Sequence, residues 1–324
     1  MGLNSCEVTL FEEEFRGLPL GVASVHPRTA EGEYHVVDRH IGRWTEATIH
    51  FSWNERGSGN WKVLEEGGRR VMTHAMVAPI GPPMLISGDP FWGDYAFQAQ
   101  IRPLSFQGAC GLIVRYQNCR CYDAVRITRG QIALLHCYHA AQSLLASRGF
   151  VFDVDRYYTL RVECVGPRIT VSVDGEKLLE GEEWEYLRGK VGFWSQVPAR
   201  FADPRVTTSR QAAEEGEARA ASWGGEERAL RDRLPKPVLW KRIPTAGFGT
   251  DRNLRFGDLN GDSRLEIVVS QRVDMASDDY PTISCLTAID LEGQVLWQLG
   301  EPSPRFRPAT SDNCFQVHDL DGDG

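Results

Sequence analysis

The sequence predicts an all-β chain in two parts, a β-sandwich followed by the first blades of a truncated, calcium-binding β-propeller. Three observations carry this. Apolar and polar residues alternate with period two over much of Trp44 to Ser209, turn residues separate the alternating runs, and an acidic spacing occurs twice, at Asp258, Asn260, Asp262 and at Asp319, Asp321, Asp323. The boundaries that follow are 1–209 for the sandwich, 210–236 for a linker and 237–324 for the repeats.

Within the sandwich, "DYAFQAQI" puts Tyr95, Phe97, Ala99 and Ile101 on one face. "YTLRVECV" and "RITVSVDGEKLLEG" alternate in the same way, and Asp174-Gly175 is a strong hairpin signal. Many short strands with turns between them make a two-sheet sandwich. The stretch from Arg210 to Pro237 is rich in Ala, Glu and Arg and is broken by Gly216 and Gly224-Gly225. It reads as a partly helical linker, with a short helix over 226–234 in which Glu227 faces Arg231.

"FGDLNGDSRLEIVV" can aim the oxygens of Asp258, Asn260 and Asp262 at one centre, with the carbonyl of Arg264 and the carboxylate of Glu266 completing a cage. Hard oxygen ligands of this kind suit Ca²⁺. A helix-loop-helix calcium hand would need Gly and Glu where Ser263 and Val269 stand, and the β-branched run that follows predicts a strand. The bland alternative is a solvated acidic turn. "PVLWKR" at 237–242 recurs as "QVLWQL" at 294–299, so Trp240 and Trp297 are 57 residues apart while Asp258 and Asp319 are 61 apart. Two marks repeating together argue for stacked four-stranded units, with the two Trp packing between them. The second acidic loop, Asp319, Asp321 and Asp323, stops incomplete, which predicts that most of a ring is missing.

"FGDLNGDSRLEIVVSQ", "LTAIDLEGQVLWQLG" and "VHDLDGDG" resemble FG-GAP/VCBS propeller repeats, and their order is similar to that in rhamnogalacturonan lyase propellers. The sandwich segments "GDYAFQAQIRP", "CGLIVRYQ", "CYDAVRITRGQIALL" and "GKVGFWS" resemble the concanavalin A-like jelly roll of LamG domains and of the 3-keto-disaccharide hydrolase type. The resemblance implies a carbohydrate-active protein whose sandwich binds glycan and whose calcium-binding propeller acts, in a full-length chain, as a polysaccharide lyase. Such a lyase neutralises a uronate carboxylate with a cation and removes the C5 proton with a base. Where basic and aromatic residues would meet the polyanion, this chain offers "SQRVDMASDDYP" and "ATSDNCFQ", leaving Arg272, Arg305, Arg307 and His318. The alternative implied is a noncatalytic extracellular carbohydrate-binding or adhesion protein. A hydrolase or lyase acting within the sandwich is a third reading, which needs convergent carboxylates or His.

A net charge of −8 argues against nucleic acid, which needs a basic footprint. No apolar run is long enough to span a membrane, and the first residues lack the pattern of a secretory signal. Calcium loops favour an extracellular or periplasmic setting, where weak oxygen sites fill. Of eight cysteines, Cys119 and Cys121 in "NCRCYD" read as two residues on one face of a strand, and Cys164 as a small core residue.

For glycan contact the candidates are aromatic, because sugar C–H faces stack on aromatic rings. Trp53, Trp61, Trp92, Tyr95, Trp184 and Trp194 are available; Trp194 reads as buried, and Trp92, Tyr95 and Trp184 are the expected platforms. No closely spaced carboxylate run of the glucanase kind appears. "EGEEWEYLRG" reads as a solvated acidic loop, and His136 and His139, three apart, as structural histidines on opposite faces of a strand.

Overall fold

The computed structural model describes residues 7–24, 32–34, 42–48, 61–77, 82–245, 247–249, 254–273, 282–302 and 315–318. The chain divides into two compact units, Met1–Arg233 and Leu234–Gly324.

The first unit runs β1 (Glu7–Glu12), β2 (Gly21–Ser24), β3 (Gly32–Tyr34), β4 (Thr45–Thr48), β5 (Trp61–Glu66), β6 (Arg69–His74), β7 (Met84–Ser87) and β8 (Tyr95–Pro103). It continues through β9 (Cys110–Asn118), β10 (Cys121–Thr128), β11 (Gln131–Tyr138), β12 (Ala141–Gly149), β13 (Tyr158–Val165) and β14 (Arg168–Val173). β15 (Glu176–Glu182), β16 (Lys190–Ser195), β17 (Ala199–Ser209) and α1 (Arg210–Arg233) complete it. One sheet has the order β15-β14-β13-β8-β17-β6-β5-β2, with β1 also on β17; the other runs β12-β11-β10-β9-β16-β7-β4-β3. Every pairing is antiparallel. The all-β sandwich expected from the alternation is therefore present.

Its core lies between the sheets, where Phe97, Val162 and Phe201 of one meet Leu112, Val125 and Phe193 of the other. Phe193 stacks between Trp44 and Phe201 at centroid distances of 5.0 and 4.5 Å. Each such side chain contributes roughly 1.5–3 kcal/mol by leaving water. The outward face of the eight-stranded sheet is apolar as well, with Met84, Ile113, Ala124, Cys137 and Trp194 forming a second cluster. The opposite sheet alternates cleanly along β13, with Tyr158, Leu160, Val162 and Cys164 buried and the residues between them half-buried. Asp174 and Gly175, at φ of 48° and 87°, supply the two left-handed residues that a tight β14–β15 hairpin requires.

Two local expectations change. Helix α1 is continuous over 24 residues rather than a short segment after Gly225. Each glycine costs about 1 kcal/mol against Ala in a helix, but Ser209 Oγ caps the start by accepting from Ala212 N at 3.2 Å. Glu227 holds Arg231 at 2.7 Å, as expected, and Gly216 is buried on the carbonyl of Phe91. The helix belongs to the first unit through Arg219, whose Nη2 donates to Phe91 O at 3.2 Å, and through Trp223 beside the Phe91 ring. "NCRC" spans a hairpin rather than one strand: Asn118 ends β9, Cys119 and Arg120 make the turn, and Cys121 opens β10. The six described cysteines are free thiols.

The second unit is one antiparallel sheet of four strands in sequence order, β18 (Leu254–Gly257), β19 (Glu266–Val273), β20 (Thr282–Ile289) and β21 (Val295–Gly300). Phe248, Val269 and Ile289 make its core. Trp240 and Trp297, expected to pack between repeats, are 77% and 42% exposed.

Candidate functional site

The first unit's site starts from a bulge in β9. Arg115 has φ of 50°, a left-handed conformation costing a non-glycine residue about 1–2 kcal/mol, and the β9–β10 register shifts here. Its side chain is fully buried. A buried guanidinium must be paired: Nη1 donates to Glu183 O at 3.3 Å and lies 3.9 Å from Glu183 Oε2, and Nη2 donates to Gly166 O. The backbone N–H of Arg115 donates to Tyr95 Oη at 2.8 Å. The 183–189 loop then closes on the bulge, and a Cβ at Gly189 would stand 2.5 Å from the Arg115 carbonyl carbon, so only glycine fits this approach.

Beside the guanidinium, Asp123 of β10 and His136 of β11 are directly paired across the ladder. His136 Nδ1 lies 2.9 Å from Asp123 Oδ1 and 3.8 Å from Glu183 Oε1. Burial pushes the Asp123 carboxyl up to about 7 and nearby Glu183 adds to this, whereas His136, through its hydrogen bond and charge, and Arg115 pull it down. Glu183 shapes its own loop, accepting from the backbone N–H of Glu185 and, at 2.8 Å, of Tyr186. Among the described residues, Asp123, His136 and Glu183 are the one group of three acidic, imidazole or thiol ligands whose atoms all lie within 4.8 Å of each other.

Above this buried layer the same loop lines an open cavity of about 540 Å³ with Gly93, Asp94, Gln117, Gly166 and three helix residues, Ala212, Glu215 and Arg219. Trp184, Glu185 and Arg188 reach it from the loop. Trp184 is 69% exposed, while Tyr186 anchors the loop by donating to Cys137 O at 3.2 Å. Gln117 Nε2 donates to Arg115 O at 3.0 Å and also to Arg188 O, tying the floor to the rim. The cavity thus offers an apolar ring beside carboxylates, an amide and guanidinium groups.

Of the expected platforms, Trp184 lies at this cavity. Trp92 is half-buried, with its ring over Gly88 and its carbonyl accepting from Gly189 N at 3.0 Å, which makes it part of the packing under the loop. Tyr95 is corrected: it is fully buried, because it shares the inward face with Phe97, Ala99 and Ile101, and its hydroxyl is spent on Arg115. Trp61 is core, and Trp53 lies outside the described residues. Two further corrections concern "EGEEWEYLRG" and the histidines. Glu183 is buried rather than solvated, and His136 faces a carboxylate while His139 sits in the β11–β12 turn at φ of 51°.

In the second unit, the loop of Asp258, Asn260, Asp262, Arg264 and Glu266 is an all-oxygen donor set closed by backbone donors. Asp258 Oδ1 accepts from Gly261 N at 2.8 Å, Asp258 Oδ2 from Ser263 N at 2.7 Å, and Glu266 Oε2 from Leu259 N at 2.7 Å. Slight burial opposes the shift, but four such N–H groups hold the Asp258 carboxyl below its usual range. The chemistry of the donors fits a hard cation; the three carboxylates do not converge to within 4.8 Å of one another. Asp319, Asp321 and Asp323 lie outside the described residues, as do Arg305 and Arg307.

Arg115, Asp123, His136 and Glu183 were not legible as one site from sequence. One signal was available. A two-residue turn at Arg129-Gly130 sets Thr128 against Gln131 and, five positions further along each strand, Asp123 against His136.

No protein-family model matches the chain. No curated protein matches it either. Similar solved structures include the carbohydrate-binding module CBM66 from Bacillus subtilis, 18% identical over 52% of this chain and 98% of that one, with a TM-score of 0.42. The non-specific endo-β-1,3(4)-glucanase SCLam of family GH16 is 11% identical over 65% and 94%, with a TM-score of 0.45. The Bacillus licheniformis β-glucanase is 13% identical over 57% and 100%, with a TM-score of 0.38. Likeness at this level assigns neither a ligand nor an activity.

Proposed function

We propose that the first unit is a glycan-binding sandwich whose ligand sits in the cavity under Trp184. The exposed indole beside Asp94, Gln117, Glu185, Arg188 and Glu215 carries this reading. An aromatic face takes the C–H side of a sugar ring, and clustered carboxylate, amide and guanidinium groups take its hydroxyls. The loop is held by Glu183 and Tyr186, so the platform is positioned before a ligand arrives. Electrophoresis through gels containing neutral and acidic polysaccharides tests it. Retardation in at least one gel, lost in Trp184→Ala, is the expected result; unretarded migration in all of them contradicts it.

For the second unit we propose a structural Ca²⁺ at Asp258, Asn260, Asp262, the Arg264 carbonyl and Glu266, pinning the turn that opens β19. Such a site fills at extracellular or periplasmic calcium. The four-stranded sheet has the strand number of one propeller blade. Together the two units make a carbohydrate-active protein acting outside the cytoplasm, with glycan as partner. The lyase version of this reading has a separate test, calcium-dependent growth of ultraviolet absorbance from unsaturated uronate products.

A further inference from the structure

We propose that Asp123, His136 and Glu183 form a binding site for a divalent transition-metal cation, Zn²⁺ being the best match. In a tetrahedral zinc site with bonds of about 2.0–2.2 Å, neighbouring ligand atoms stand roughly 3.3–3.6 Å apart. Here His136 Nδ1 is 2.9 Å from Asp123 Oδ1 and 3.8 Å from Glu183 Oε1, distances that bracket this spacing, and the three ligand atoms all lie within 4.8 Å of one another. One nitrogen and two carboxylate oxygens are a donor set that zinc accepts, with a fourth position left for water.

A second observation points the same way. Asp123 is wholly buried, and its Oδ2 has no hydrogen-bond partner among the described residues. A buried carboxylate oxygen without a partner is costly, and a cation that Asp123 engages through both of its oxygens removes that cost. Two ligands come from adjacent, hydrogen-bonded strands, and the third from a loop fixed by its own carboxylate. Glu183 Oε2 accepts from Tyr186 N–H and lies 3.9 Å from Arg115 Nη1, while Oε1 faces His136 at 3.8 Å. His136, with 16% of its side chain exposed, is the ligand open to solvent and gives the ion its way in.

The test uses the whole chain, stripped with a chelator and titrated with Zn²⁺ by calorimetry and with Co²⁺ by visible absorption. Expected are one tight equivalent of Zn²⁺ and Co²⁺ bands of a four-coordinate nitrogen and oxygen site. His136→Gln and Glu183→Gln each weaken binding at least 100-fold, while Asp258→Ala leaves it unchanged. Absence of stoichiometric Zn²⁺ binding overturns the site, and so does binding that persists in folded His136→Gln. If both cluster variants fail to fold, the wild-type Co²⁺ spectrum decides: thiolate charge-transfer bands, or no bands, overturn it.

Discussion

Asp123 and His136 face each other across the β10–β11 ladder, with Nδ1 2.9 Å from Oδ1, at the point where the bulge of β9 drives Arg115 between the sheets. A hairpin register and a bulge on the next strand thereby gather four ionisable groups beneath the loop that carries Trp184.

Removing the imidazole leaves Asp123 buried without its hydrogen-bond partner. In metal-free protein His136→Ala should cost about 2–3 kcal/mol, the size of a lost charge-assisted bond to a buried group. Asp123→Asn, which keeps the shape and can still bond, should cost less. Urea unfolding of the two variants against wild type checks the order.

Glu46 gives the first unit a pH dependence. Its carboxyl lies in β4, buried, and burial alone pushes it up to about 8 from the usual 4.5. The folded chain therefore holds this proton more tightly than the unfolded chain. The stability this group contributes is highest below pH 4.5, falls as pH rises, and levels off above about 8. The fall attributable to this group is at most about 5 kcal/mol. Urea midpoints at pH 5 and pH 8 should differ in wild type and differ less in Glu46→Gln, the remaining difference belonging to Asp123, whose carboxyl burial also raises.

Helix α1 carries glycines at 224 and 225 where a Cβ would meet nothing within 4 Å. Gly224→Ala and Gly225→Ala should each stabilise by about 0.5–1 kcal/mol. Thermal unfolding of the double variant measures the gain, and a loss would show that the helix is not continuous there.

Calcium should raise the unfolding midpoint of the second unit, and chelation should reverse this. Asp258→Ala should abolish the difference, because the carboxylate that gathers the loop's N–H groups is also its first ligand. Differential scanning calorimetry with and without calcium resolves the two units and reports which one responds.

How much of this was legible depends on how local each signal is. Tyr95, Phe97, Ala99 and Ile101 announced a buried face by simple alternation, and that same alternation already argued against Tyr95 as a sugar platform. Asp174-Gly175 fixed a hairpin because only a few residue pairs accept two left-handed conformations. The length of the helix is hidden in the sequence by Gly216 and Gly224-Gly225, because the Ser209 cap and the Phe91 contact that accompany them come from the folded structure. Glu183 looked solvated since four glutamates crowd its segment, and nothing in local sequence says that Arg115 adopts a left-handed bulge and meets it. Groups brought together by a bulge and a distant loop leave no periodic trace.

Glycan binding through Trp184 is tested by a glycan microarray probed side by side with wild type and Trp184→Ala, the two matched for thermal stability. Expected are a confined set of bound glycans for wild type, at least a tenfold loss of signal in the variant, and an unchanged unfolding midpoint, since the indole is 69% exposed. Equal binding by both proteins would move the ligand away from this cavity, and no binding by either would contradict the glycan-binding account.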